Sequence, residues 1–260
     1  MAPTYHLVQS LVKSLAIMEI LGESVEGLGV TEIGDRVGMN KSTVHRILTT
    51  LVHEGYVDQD QAKGRYRLSF KMFVIARKIL NNIRATKVVS PFLEKLAGET
   101  EESARFVVPD MEHARLIVCD EVLTKKSIGV RPHLGDSLSL SKSAAGKMFL
   151  ASLSDDQIKL LMDEKGRKTV IEDDGYSFSS LRKDLGQVRD QGIAYDVRKD
   201  ELESTINIAA PIRDENGELV GMLDLYAPKF RAEKNFDKKY GKLVNDTALE
   251  ISKKLGYIPA

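Results

Sequence analysis

One glycine does most to limit how this chain folds. Gly38 separates two apolar patterns of helical period. Ile33 and Val37 precede it, and Val44, Ile47, Leu48, Leu51 and Val52 follow at i, i+3, i+4, i+7 and i+8. A short helix, a tight glycine turn and a longer helix make the helix-turn-helix pattern. Thr31 is the expected N-cap of the first helix. Asn40 or Lys41 begins the second, and Gly55 ends it. A preceding helix is expected over 7–21, with Leu11, Leu15 and Met18 at helical spacing and Val8, Val12 and Leu21 widening the stripe. Gly27 to Gly29 break that stripe.

The other face of the longer helix carries Lys41, Ser42, Thr43, His45, Arg46 and Thr49. They cluster at its N-terminal end, the end a recognition helix presents to the major groove. Arg46 has the planar fork for a bidentate contact to guanine, and Ser42 or Thr43 suits base edges or phosphate. The alternative is an amphipathic helix with a plain solvent face. Two short strands follow, 56–60 and 65–68, around the turn Gln61-Ala62-Lys63-Gly64, which is a hairpin signal. A hairpin placed there makes a wing. Lys63, Arg65 and Arg67 would meet the DNA backbone or minor groove.

Charge separates these possibilities. Lys plus Arg and Asp plus Glu are both 38, so the chain as a whole is no basic wrapper of nucleic acid. Residues 1–40 carry two basic and five acidic groups, whereas 41–84 carry nine basic and three acidic ones. The excess of six positive charges thus coincides with the recognition helix, wing and following helix.

These residues resemble the IclR family of bacterial transcriptional regulators. VTEIGDRVGMNKSTVHRILTTLVHEGYV looks like its helix-turn-helix signature, and GRYRLSFKMF like its wing and linker start. Farther on, Ser143-Ala144-Ala145-Gly146-Lys147 looks like its A-x-G-K helix start. Gly192 through Asp196 to Ile208–Ile212, then Asp214-Glu215-Asn216-Gly217 and MLDLYAP, resemble its later blocks. The resemblance spans roughly 5–257. It implies a winged helix-turn-helix domain at 1–68, a linker helix at 69–84 and an effector-binding and oligomerisation domain at 85–260. It also implies homodimers, often paired into homotetramers, a double-stranded operator as partner and a GAF-like (profilin-like) sensor fold.

On its own periodicity, 70–83 reads as a helix with Phe70, Phe73, Ala76, Ile79, Leu80 and Ile83 repeating at three and four. This is more apolar surface than a tether needs, and it fits either a dimer contact or burial within the chain. Beyond Pro91 helices and strands alternate. A helix ends near Gly98. Strands are expected at 103–108, 115–122 and Ser127 to Arg131, the first two joined by Pro109 to His113. Helices follow over Ser143 to Leu153, from the capping-box spacing at Ser154 to Gln157, and over Ser179 to Gln191. Strands at 193–197, 205–212 and 218–226 precede a lysine-rich, surface-lying helix from Glu233 to Leu255. The pattern is an α+β domain with an antiparallel sheet.

No enzyme motif emerges, so no catalytic residue, metal or cofactor is expected. The lone Cys119 lies in an apolar run and excludes an internal disulfide. His113 and His133 lack metal-site spacing. No GxSxG elbow or phosphate loop is present. No run suits a membrane span and the start is no signal peptide, so the cytosol is expected, with the nucleoid when operator-bound. A binding site is better supported. The start of a helix at Ala144, Ala145 and Gly146 has free N–H groups that favour an anion, and family resemblance places it at the effector pocket. The same resemblance maps pocket positions onto Asp196, Asn207, Asp224 and Tyr226. Asp224 and Tyr226 are two apart and face one side of a strand. The sequence departs from the family where Asn207 replaces a common cysteine, Ser204 replaces a glycine and the Asp196-to-Asn207 spacing is one residue longer. Two carboxylates with an amide favour a hydroxyl-rich or amine ligand, and the helix start a carboxylate. A hydroxylated or sugar acid satisfies both. The expectation is a ligand-responsive regulator of a catabolic operon. The competing readings are a DNA-binding protein with an enzymatic C-terminal domain and a ligand-independent structural DNA binder.

Overall fold

A computed structural model describes residues 7–60, 62–82, 84–111, 113–129, 134–163, 178–197, 205–231 and 235–259. Gln61, Arg131, His133, Ser204 and the Ile83 end of the linker pattern lie outside the described residues, as do the side chains of Ile79, Leu80 and Arg84. The chain divides into two compact units, Met1–Asn82 and Ile83–Ala260.

The first unit runs α1 (Gln9–Gly22), β1 (Leu28–Gly29), α2 (Val30–Val37), α3 (Lys41–His53), β2 (Val57–Asp60), β3 (Arg65–Leu68) and α4 (Phe70–Asn82). Gly38 adopts φ 64°, a left-handed conformation that glycine takes without a Cβ penalty. That turn lets Met39 donate its N–H to Gly34 O at 2.9 Å. Asn40 then caps α3, its Oδ1 accepting the Thr43 N–H at 2.8 Å. Ile17, Leu21, Leu28, Ile33, Val44, Leu48, Leu51, Val57 and Tyr66 form the core.

Two sequence expectations need correction here. Thr31 is not the cap of α2, because Leu28 and Gly29 pair with Tyr66 and Arg65 as a third strand, and the helix, capped at Gly29, begins two residues sooner. The N–H of Gly29 is met by the Glu32 carboxylate at 2.8 Å. The buried face of α1 is Ile17 and Leu21, whereas Val8, Leu11, Val12 and Leu15 are exposed, since only the second half of the helix meets this core. Phe70, Phe73 and Val74 of α4 are exposed.

The second unit contains α5 (Arg84–Thr100), β4 (Ser103–Asp110), β5 (Arg115–Val122), β6 (Ser137–Leu138), α6 (Ala144–Ser152), α7 (Asp155–Asp163), α8 (Phe178–Gln191), β7 (Ala194–Val197), β8 (Thr205–Arg213), β9 (Leu219–Pro228) and α9 (Phe236–Lys254). Six strands form an antiparallel sheet in the order β6-β5-β4-β9-β8-β7. Its two faces follow from alternation along each strand. Phe106, Ile206, Ile208, Ala210, Ile212, Leu223 and Leu225 point to one face, under α5 and α9. Val107, Ala194, Ala209 and Met222 point to the other, under α6, α7 and α8.

The strand expected at Ser127 does not form over 127–129, and the sixth strand is Ser137–Leu138. Side chains hold the residues just before Ser127. Thr124 donates its N–H to Ser103 Oγ at 2.9 Å, and Lys126 reaches the buried Glu102 at 3.1 Å. Pro109 and Asp110 belong to β4 rather than to the turn. The helix expected to end near Gly98 runs from Arg84 to Thr100 and carries Pro91 inside it, held by the buried Val89, Leu93 and Leu96. The last helix does more than lie on the surface: Phe236, Val244, Ala248 and Ile251 are buried against the sheet. Among the described residues no helix is long and apolar enough to cross a membrane.

Candidate functional site

The exposed face of α3 presents Lys41, Ser42, His45, Arg46 and Thr49, with Thr43 half-buried. No Asp or Glu occurs between Lys41 and His53. Asn40 Oδ1 takes both the Thr43 N–H and the Ser42 hydroxyl, the latter at 2.9 Å, so the cap also orients Ser42. In the wing, Lys63 and Arg67 are exposed near the turn, where Asp60 Oδ1 accepts the N–H groups of Ala62 and Lys63. Arg65 is placed differently. Its guanidinium donates to Gly27 O at 2.7 Å and reaches Glu32 at 3.3 Å, so it ties the wing to the start of α2 rather than projecting from it.

In the second unit, strand register does what the sequence alone leaves open. Asp196, Asn207, Tyr226 and Ser103 are successive cross-strand partners from β7 to β4. Two residues along, Ala209, Asp224, Arg105 and Glu121 make a parallel row. Directly opposed residues of antiparallel strands share a face, so all four expected pocket residues of the sheet lie on the α6 side. Asp224 and Tyr226 are essentially inaccessible, and Asn207 donates from Nδ2 to Thr205 Oγ1 at 3.1 Å.

This face carries two cations that were not assigned from sequence. The Arg105 guanidinium bonds Asp224 Oδ2 through Nε at 2.7 Å and Nη2 at 2.6 Å, and its Cζ stands 4.6 Å from the Tyr226 ring centroid. Both members of that ion pair are buried. Lys147 Nζ bonds Asp196 Oδ1 at 2.8 Å and lies 3.9 Å from Asp184. Asp196 Oδ2 is buried without a hydrogen-bond partner. Burial pushes the Tyr226 hydroxyl well above its ordinary range, with the nearby Arg105 charge acting in the opposite sense. A signal for Arg105 was present: it is the one charged residue in the middle of the run SARFVV, at a position facing the same way as Asp224.

The start of α6 is closely packed. Ala144 and Ala145 are fully buried, and Ser143 Oγ accepts the Gly146 N–H at 2.9 Å. A Cβ built on Gly146 would meet Leu140 O at 2.3 Å and Ser139 O at 2.4 Å. Gly146 therefore admits the chain's own backbone where a side chain would otherwise stand. Gly146→Ala should cost roughly 1–3 kcal/mol as an overpacked core site, read as a lower urea midpoint. An unchanged midpoint would mean that the 139–140 turn yields freely.

Among the described residues, no group of three or more His, Cys, Asp or Glu is placed to hold a metal ion. The Cys119 thiol is pushed up to about 11 by burial and by the neighbouring Asp120, which opposes formation of a nucleophilic thiolate.

A winged helix-turn-helix with an acid-free cationic face, on the same chain as an α+β unit with a polar sheet face, defines a DNA-binding transcriptional regulator. The family comparison makes the assignment specific: the bacterial transcriptional regulator IclR C-terminal model matches residues 77–253 and the IclR helix-turn-helix domain model matches 10–61. The chain belongs to the IclR family of bacterial transcriptional regulators. It is 29% identical to the transcriptional repressor IclR of Escherichia coli K12 over 251 residues, covering 96% of this chain and 91% of that one. Among solved structures it matches Thermotoga maritima IclR with TM-score 0.76 at 22% identity, over 96% of this chain and all of that one. It also matches an IclR homologue from Microbacterium hydrocarbonoxydans complexed with 4-hydroxybenzoate, with TM-score 0.74 at 20% identity and coverage of 95% and 98%.

Proposed function

We propose that this protein is a ligand-responsive repressor of a catabolic operon whose operator affinity is set by a small hydroxylated organic acid bound at the α6-facing side of its sheet. One observation carries the reading: Asp196, Asn207, Asp224 and Tyr226 come from three strands yet share one face, together with Arg105 and Lys147. Buried polar groups on that scale are costly unless paired, and Asp196 Oδ2 is left without a partner. A ligand hydroxyl would satisfy it, and a ligand carboxylate would suit Lys147 or Arg105. The 4-hydroxybenzoate held by the Microbacterium homologue combines the same two groups. Ala144, Ala145 and Gly146, at the start of α6, complete the proposed site beside Lys147.

Lys41, Ser42, Thr43, His45 and Arg46 meet the operator, with Lys63 and Arg67 on its backbone and Arg65 steadying the wing. The exposed Val12 and Leu15 of α1 and Phe70 and Phe73 of α4 supply an apolar surface for a homodimer. A two-fold dimer would set two recognition helices in successive major grooves. Ligand binding would act by favouring one arrangement of the assembly over another.

A thermal-shift panel of hydroxylated acids, sugar acids, 4-hydroxybenzoate and neutral polyols tests this. A true effector at a hundred times its Kd adds about 2.7 kcal/mol, or roughly 5–10 °C in Tm. Asp196→Ala should abolish that shift and the accompanying change in operator affinity. Absence of any stabilising acid would sink the proposal, and consumption of the ligand would favour the enzymatic reading.

A further inference from the structure

α1 changes character along its length. Ile17 and Leu21 are fully buried, but one and two turns earlier the same side of the helix carries Ser10, Lys13 and Ser14. These three line an open groove of about 450 Å³ with Thr43, Arg46 and Thr50 of α3. A helix face meant to pack on protein would have stayed apolar. Here it turns polar where it runs beside the recognition helix.

The chemistry of the groove is one-sided. Its lining contains two cations, Lys13 and Arg46, and no carboxylate; Leu11 and Ile47 supply its apolar part. The Ser14 hydroxyl donates to Ser10 O at 2.8 Å and the Thr50 hydroxyl to Arg46 O at 3.1 Å. Those two hydroxyls are thus folded back on their own helices, and the ammonium and guanidinium are the charged donors that face an occupant, beside the Ser10 and Thr43 hydroxyls. Two cations without an acid call for an anion. A duplex seated on α3 brings one, because the sugar-phosphate strand bordering a major groove runs alongside the helix lying in it, with a charge about every 3.4 Å along that strand.

We propose that Lys13 of α1 is a DNA-backbone contact, closing on a phosphate beside Arg46. This rests on the reading that Arg46 faces DNA. Lys13 lies outside the block of excess positive charge, in a stretch whose net charge is negative, so charge counting along the sequence passes over it. Lys13 would add affinity without reading bases, as phosphate contacts do.

The test is binding of full-length protein to a random-sequence duplex and to a duplex selected by the protein from a random pool, measured by anisotropy across a salt series. Loss of one phosphate contact lowers the slope of log affinity against log salt by about 0.9, which corresponds to about eightfold weaker binding at 0.1 M salt. Lys13→Ala should show this on both duplexes alike, and Lys13→Arg should keep the native slope. Arg46→Ala should instead weaken the selected duplex more than the random one. An unchanged slope in Lys13→Ala, with Arg46→Ala still impaired, overturns the inference while leaving the recognition helix in place. No effect from either variant overturns both. If Lys13→Ala alters the oligomeric state in sedimentation and leaves the slope native, the groove serves a second copy of the chain and the inference fails. A native circular dichroism melt for Lys13→Ala ensures that the slope reports contact rather than folding.

Discussion

Arg46→Ala should weaken binding to a selected operator by about 1–3 kcal/mol, roughly 5- to 150-fold, with most of its discrimination at one base pair lost. The expectation comes from position as much as residue type. Arg46 lies on the side of α3 away from Val44, Leu48 and Leu51, which are buried in the first unit's core. Its side chain meets no acidic partner among the described residues, so no ion pair must be broken before it engages a base. Arg46→Lys separates charge from geometry. It keeps the phosphate attraction and the salt slope but loses the planar fork, so its affinity for random duplex should stay native while base discrimination falls. If both variants bind the selected duplex as well as the native protein does, α3 is not the reading element. Arg65→Ala gives a useful contrast. With its guanidinium on Gly27 O and Glu32, its loss should lower the stability of the first unit before it changes any salt slope.

That contrast shows which parts of the fold could be read in the sequence. The helix-turn-helix was legible because each signal is local: Gly38 for the left-handed turn, Asn40 for the cap, and a helical apolar period on either side. The capping box at Ser154 and Gln157 was local too, and both of its hydrogen bonds are present. Nonlocal pairing was not legible. Nothing near Leu28 says that it adds a strand to Arg65 and Tyr66, and this one pairing both displaced the Thr31 cap and turned Arg65 inward. In the sheet, family-matched positions located Asp196, Asn207, Asp224 and Tyr226, but only register shows that they share a face. The cations that face them come from β4 and α6, far away in sequence. A charge inside an apolar strand should be taken as a request for a partner. Arg105 was such a request, and Asp224 answers it 119 residues later.

The second large effect should come from that pair. Asp224→Ala should destabilise the sheet unit by about 3–5 kcal/mol, because it strands a buried guanidinium whose two hydrogen bonds ended on one carboxylate oxygen. Far-UV circular dichroism in urea would show it as a lower midpoint. A loss under about 1 kcal/mol would mean that Arg105 reaches water in solution. The double variant Arg105→Met with Asp224→Leu is more informative than either single one. It removes both charges together, leaves apolar groups of similar length, and should recover most of the lost stability, since a buried ion pair contributes little net of its desolvation cost. Recovery of stability then isolates function. If the pair only holds the strands together, the double variant should answer an effector identified by thermal shift as the native protein does. If Arg105 and Asp224 belong to the binding face, the double variant should fold, keep its affinity for the operator and lose the ligand response. The proposed site requires the second outcome. A native ligand response in a stably folded double variant would confine the effector to the Lys147 and Asp196 end of the sheet.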